Sequence, residues 1–203
     1  MAKKSKEELI NSVFTTNKRY KQEDIRDARK WFRDNVKALL SGEKKLSGKM
    51  SDLRYRAKTD GQMVGKMFFY KYDPKWKEKL PYYDMFPLII CIDMYKDGWL
   101  GLNLHYIPPE QRRILLERLF VTLNNTKFDR TTRLKVTYGI LKGVTKYKYF
   151  KPCIKRYLTH HIRSKVNMVR PQQWHKAILL PVCKFKKAPK TKVWADSKRT
   201  WKK

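Results

Sequence analysis

Between Asp129 and Asp196 the chain carries no carboxylate at all. Other absences narrow the chemistry further. No apolar run approaches the roughly 20 residues of a bilayer-spanning helix, so none is expected. The opening Met1-Ala2-Lys3-Lys4-Ser5-Lys6-Glu7-Glu8 is charged with no apolar segment behind it, unlike a secretory signal. Cysteine is scarce: Cys91, Cys153 and Cys183 are far apart and odd in number, which suits buried thiols in a reducing cytoplasm rather than a disulfide scaffold. Cys-x-x-Cys is missing. His160 and His161 are adjacent, so on a helix their rings would point about 100° apart and could not chelate one metal. Ser-centred elbows and phosphate-cradling glycine loops are absent too; Gly61-Gln62-Met63-Val64-Gly65 has no Lys-Ser/Thr behind it. Asp73, Asp84, Asp93 and Asp97 lie near turns or among apolar residues, and Asp73 with Glu78 lacks the Lys of a nuclease Asp…Glu-x-Lys pattern. No catalytic residue, metal or cofactor is expected, and the chain reads as a protein that is not an enzyme.

What is present is positive charge. The 203 residues sum to a net +31. Residues 1–60 hold 17 basic and 9 acidic side chains, residues 61–130 hold 11 and 8, and residues 131–203 hold 21 and 1. Like charges repel and oppose compaction, so an acid-free stretch implies that a partner supplies the negative charge. Nucleic acid is the commonest such partner; an anionic membrane surface or an acidic protein in an assembly are the others.

Hydrophobic residues at 41% and aromatics at 13% are enough for a core. The pattern predicts an α+β fold in three parts: an N-terminal helical arm and connector over 1–60, a core domain over 61–183 and a basic extended tail over 184–203. In the arm, a helix over 5–40 is expected from Ile25, Ala28, Phe32, Val36 and Leu39 at helical spacing, its stripe facing either the core or another protein. A small antiparallel β unit is expected over about 62–107. Met67–Tyr72 and Phe86–Tyr95 are strand candidates, Lys96-Asp97-Gly98 a hairpin turn, and Trp99–Tyr106 the returning strand. C-terminal helices should pack against it, over about 109–123, 131–144 and 152–166, the last with Ile154, Tyr157, Leu158 and Ile162 inward. A short helix near Trp174 and a strand over 178–182 complete the reading.

Lys135, Lys142, Lys146, Lys148, Lys151, Lys155, Arg156, Arg163 and Lys165 alternate with aromatics, among them Tyr147 and Tyr149. Cations beside aromatics suit a phosphate track with stacking platforms, and these eleven residues are the candidate DNA-binding set. Tyr157 and Phe150 fit the core better than a platform. Two aromatic, proline-bounded loops carry Tyr82, Tyr83, Tyr106, Pro108 and Pro109, a candidate surface for docking a protein partner.

Four segments carry a resemblance. Leu80-Pro81-Tyr82-Tyr83-Asp84-Met85-Phe86-Pro87-Leu88, Gly101-Leu102-Asn103-Leu104-His105-Tyr106-Ile107-Pro108-Pro109, Tyr149-Phe150-Lys151-Pro152-Cys153-Ile154-Lys155-Arg156-Tyr157-Leu158 and Thr191-Lys192-Val193-Trp194-Ala195-Asp196-Ser197 resemble the DNA end protector family of T-even-like tailed bacteriophages, small basic virion proteins. The resemblance covers roughly residues 60–200. It implies a virion protein, made in the host cytoplasm, that binds the packaged genome end at the head–tail junction and shields it from exonucleases. The partners implied are double-stranded DNA, bound without sequence specificity, and other virion proteins, with no membrane and no small-molecule substrate. A structural neck or baseplate component whose basic surface packs on acidic virion proteins is the alternative. An RNA binder with extended basic tails, as in ribosomes, is a weaker one.

Overall fold

A computed structural model describes residues 22–41, 63–123, 127, 129, 137, 139–143, 148–170, 173, 174, 176 and 185–199. Its centre is a five-stranded antiparallel sheet of β1 (Met67–Phe69), β3 (Leu88–Tyr95), β4 (Gly98–Asn103), β5 (Ile154–Leu158) and β6 (Asn167–Val169), in the order β5-β4-β3-β1-β6. A two-stranded ribbon pairs β2 (Tyr83–Asp84) with β7 (Phe185–Lys186). The architecture is α+β, as the sequence pattern predicts.

The β3–β4 hairpin turns at Lys96-Asp97, with Tyr95 opposite Gly98. Gly98 is required by close approach: a Cβ there would lie 1.9 Å from the Tyr157 carbonyl oxygen of the neighbouring strand. Alternation along β3 sends Leu88, Ile90 and Ile92 to one face and Ile89 and Cys91 to the other. Both faces are covered, which is why the strand reads as a continuous apolar run rather than an alternating one. A register shift between Cys91 and Asp93 ends the run and leaves Asp93 exposed.

Helices cover the first face. In α1 (Gln22–Ser41), Ala28, Trp31, Phe32 and Leu39 form the buried stripe, and Phe32 meets Phe69 edge-on at 5.4 Å. The arm's helix thus packs its stripe on this chain's own core. Its expected stretch over 5–21, and the connector over 42–60, lie outside the described residues. In α2 (Pro109–Leu123), Ile114, Leu115, Leu116 and Leu119 are buried. Buried Arg112 donates to the carbonyls of Leu104 (2.8 Å) and Ile107 (3.0 Å), satisfying the 3-10 turn Leu104–Tyr106. The second face holds an aromatic network. Tyr157 meets Tyr72 at 5.0 Å and Tyr70 at 5.7 Å, and Trp99 Nε1 donates to the Tyr70 hydroxyl at 3.1 Å.

Two segments depart from what the sequence pattern predicts. The helix expected over 152–166 is instead the end of a 3-10 turn (Lys148–Cys153), strand β5, a second 3-10 turn (Thr159–His161) and an irregular strap to Val166. Ile154 to Leu158 pair along Leu102 to Gly98, whose free edge supplies the backbone partners that a helix would have supplied internally. The extended tail expected from 184 is also wrong over 185–199. Phe185 packs on Tyr106 at 4.9 Å, and α3 (Lys190–Arg199) buries Val193 and Ser197 against the Leu104–Tyr106 turn. Trp194 Nε1 donates to the His105 carbonyl (2.8 Å) and Ser197 Oγ to that of Tyr106 (3.1 Å). Residues 139–143 are helical as expected, with Leu141 buried. The strand expected over 178–182 lies outside the described residues.

Candidate nucleic-acid interface

After β1 the chain runs through Lys71, Tyr72 and Asp73 into Pro74-Lys75-Trp76-Lys77-Glu78-Lys79-Leu80, where Pro74 starts a helical turn. Lys77 N–H donates to the Pro74 carbonyl (3.2 Å) and Lys79 N–H to that of Trp76 (3.0 Å). The strap after β5 flanks this segment on one side. Arg163 N–H donates to the Lys71 carbonyl (2.8 Å), Lys71 N–H to Ser164 Oγ (2.8 Å) and Asp73 N–H to the His161 carbonyl (3.0 Å). The other side is closed by Lys187, whose ammonium donates to the carbonyls of Lys77 (2.8 Å), Glu78 (2.9 Å) and Leu80 (3.3 Å). Lys187 has a positive φ of 69°, which re-aims the chain between β7 and α3.

These bonds tie together stretches of chain some hundred residues apart. Lys71, Lys75, Lys77 and Lys79 come from the first, Arg163 and Lys165 from the strap, Lys186 from the ribbon and Lys187 from the bend after it. Within the 71–80 segment the carboxylates are Asp73 and Glu78; Asp73 pairs with Lys77 at 3.2 Å. Trp76 is 57% exposed, with the ammonium groups of Lys75 and Lys79 at 5.2 and 5.0 Å from its ring centroid. An exposed indole between cations on a turn fixed from both sides presents a π-face and positive charge together.

The predicted DNA-binding residues divide. Lys151, Arg163 and Lys165 are exposed, as is Lys142 on the 139–143 helical segment. Arg163 also donates to the His160 carbonyl at 3.2 Å. Lys155 is half-buried. Its ammonium lies 4.5 Å over the Tyr106 ring, and burial pushes its pKa down from the ordinary 10.5. A site that disfavours the charged form is a poor phosphate contact. Arg156 pairs with Asp97 at the hairpin tip and stacks 3.7 Å over Tyr95, so its charge already has a partner. Lys135, Lys146 and Tyr147 lie outside the described residues, as do the side chains of Lys148 and Tyr149.

The docking set fares differently. Tyr82 and Tyr83 are half-buried. Tyr106 is only 5% exposed, packed by Phe185 and Tyr82, and Pro108 is buried; neither can dock a partner. The aromatic, proline-bounded pattern there marks core, because α3 returns to cover it. Pro109 opens α2. Trp76 is not among the residues that the charge and motif pattern singles out. Its signal is Lys75-Trp76-Lys77-Glu78-Lys79, an indole among lysines between Pro74 and Pro81, outside the acid-free third of the chain.

A carboxylate–imidazole pair sits inside the fold. Asp84 Oδ2 lies 2.7 Å from His105 Nδ1 and 3.0 Å from Asn103 Nδ2, while Oδ1 accepts from Phe86 N–H at 3.0 Å. Asn103 Nδ2 also donates to the Tyr157 hydroxyl at 2.9 Å. With side-chain exposures of 2% and 0%, Asp84 and His105 cannot meet a macromolecular substrate; through His105 and Asn103, Asp84 interlocks the ribbon with the Leu104–Tyr106 turn and the end of β4. Among the described residues no group of three or more His, Cys, Asp or Glu is placed to hold a metal ion, and no helix is long and apolar enough to cross a membrane.

Against known families, the chain matches the one described as Phage T4 terminal DNA protecting protein, over residues 2–203. No curated protein and no solved structure matches.

Proposed function

The chain belongs to the phage T4 terminal DNA protecting protein family, and on that premise we propose that it binds the end of the packaged duplex without sequence preference and without catalysis. The observation that carries the reading is the gathering of Lys71, Lys75, Lys79, Arg163, Lys165 and Lys186 onto adjoining, mutually bonded segments. Phosphates attract such a surface through Coulomb forces and released counterions, which requires no base contacts. A protein seated there covers the terminus that an exonuclease must grip. The virion, at the head–tail junction, is the place where a packaged end and such a protein meet, with other virion proteins as neighbours; synthesis is in the host cytoplasm. No cofactor or small-molecule substrate enters this role. A neck or baseplate role loses part of its proposed docking surface, since Tyr106 and Pro108 are buried.

Salt dependence tests the reading. Affinity for linear duplex should fall steeply and linearly in log–log form as salt rises, equally for unrelated sequences. Replacing Lys75, Lys79, Arg163 and Lys165 with Gln should flatten the slope by roughly one unit for each phosphate that is no longer neutralised. Affinity indifferent to salt, or degradation of the duplex with magnesium, manganese or zinc, would refute it.

A further inference from the structure

We infer that Trp76 is the residue that distinguishes a DNA end from continuous duplex, by stacking its indole on the nucleobase exposed at the terminus. The inference rests on the end-binding reading and adds the chemical group that is read. Phosphate contacts alone cannot make that distinction, because the backbone charge runs along the whole duplex. What only an end presents is the face of a terminal or unpaired base. A protein meets that face with an exposed aromatic ring.

The described tryptophans leave one strong candidate. Trp99 and Trp174 are fully buried, Trp31 is 9% exposed, and Trp194 is half-buried with its indole N–H spent on the His105 carbonyl. Trp76 is 57% exposed. It does not sit on a loose loop. The Asp73–Lys77 pair holds the turn from within, the His161 carbonyl holds it from the strap, and Lys187 closes its carbonyl end. A platform fixed in this way loses little freedom on binding.

Its neighbours suit the same ligand. The ammonium groups of Lys75 and Lys79 rest near the ring at 5.2 and 5.0 Å, within cation–π range. Both stems are exposed, so both charges can swing to the phosphates on either side of a base that takes their place over the ring. Glu78 and Asp73 are the opposing carboxylates on this segment, and Asp73 is neutralised by Lys77. Other exposed apolar side chains offer no such setting. Met168 lies on an edge strand and has no ring, and Tyr95 is already covered by Arg156.

The test compares three duplexes of one sequence and length: blunt-ended, carrying a short single-stranded overhang, and closed at both ends by hairpin loops of non-natural, base-free linker. Wild-type protein should favour the open ends over the closed form. Trp76→Ala should lose about 5- to 150-fold for the open-ended duplexes and leave the closed form unchanged, while Trp76→Phe should keep most of the preference. Far-UV circular dichroism and thermal melting should match wild type, because the side chain is exposed. Equal losses on open and closed duplex, or no loss on either, would overturn the role of Trp76 while leaving phosphate binding intact. Failure of the wild-type protein to bind any of the three would overturn the underlying DNA-binding reading instead.

Discussion

Replacing Asp84 with Ala removes the acceptor on which three buried donors converge: His105 Nδ1 at 2.7 Å, Asn103 Nδ2 at 3.0 Å and Phe86 N–H at 3.0 Å. A carboxylate only accepts, so His105 carries its proton on Nδ1, while its Nε2 finds no partner among the described residues. Asn103 keeps the Tyr157 hydroxyl, but the imidazole and the Phe86 amide are left facing a small void. Leaving these two buried donors unsatisfied costs about 2–6 kcal/mol, at about 1–3 kcal/mol each. For a chain of 203 residues that lowers the melting temperature by roughly 4–24 °C. Asp84→Asn keeps the shape and one acceptor oxygen and should lose about 1–3 kcal/mol. Urea denaturation monitored by tryptophan fluorescence gives both values. DNA affinity well below the melting temperature should stay at the wild-type level, since the Asp84 side chain is 2% exposed. A shift under about 1 kcal/mol for Asp84→Ala would refute the interlock, because it is smaller than the loss expected from one unsatisfied buried donor.

Alkaline stability provides a second check. Burial pushes the thiols of Cys91 and Cys153 from 9.0 up to about 12. The fold therefore holds the neutral thiol: its contribution is complete below pH 9.0 and is lost as pH rises through about 12. Each thiol should subtract about 1.4 kcal/mol per pH unit across that window, and Cys153→Ala should remove one share of the slope; urea midpoints that stay flat with pH would contradict this. Gly98→Ala should destabilise by about 2–3 kcal/mol, since its Cβ meets the Tyr157 carbonyl oxygen at 1.9 Å and backbone cannot step aside without parting β4 from β5. An unchanged melting temperature would show that β4 and β5 part at little cost.

The β3–β4 hairpin was readable from sequence because its information is local. Asp97-Gly98 supplies the turn, and Leu88 to Ile92 supply a run apolar enough to be buried on both sides. The segment over 154–162 has a helical pattern in sequence and a different structure for a physical reason. Ile154, Tyr157, Leu158 and Ile162 fall at helical spacing, yet what makes 154–158 a strand is the open edge of β4, more than fifty residues away. Helix α3 hid behind a composition of Lys, Thr and Ser; only Val193 and Ser197 need burial, and their site is a turn ninety residues earlier. Composition shows how much positive charge the chain carries but not which cations are engaged. Asp97 lies 59 residues before Arg156, and nothing near Arg156 in sequence signals that it has a partner. Nor does anything next to Lys155 signal Tyr106 beneath it. Trp76 was legible in its lysine-flanked run, but whether an indole is core or surface is settled by packing, and packing left it outside.

Protection of a duplex end is the central claim, and digestion kinetics measure it directly. Linear duplex labelled at one terminus is incubated with the full chain at rising concentrations, then with a processive double-strand exonuclease at low salt. Label should survive in proportion to the bound fraction, protection should fade as salt rises in step with affinity, and changing Lys75, Lys79, Arg163 and Lys165 together to Gln should weaken it in step with affinity while melting stays close to wild type. An endonuclease cutting mid-duplex should be slowed far less at the same concentrations. Unimpeded exonuclease digestion of DNA shown to be fully bound, or equal slowing of both nucleases, would contradict the claim.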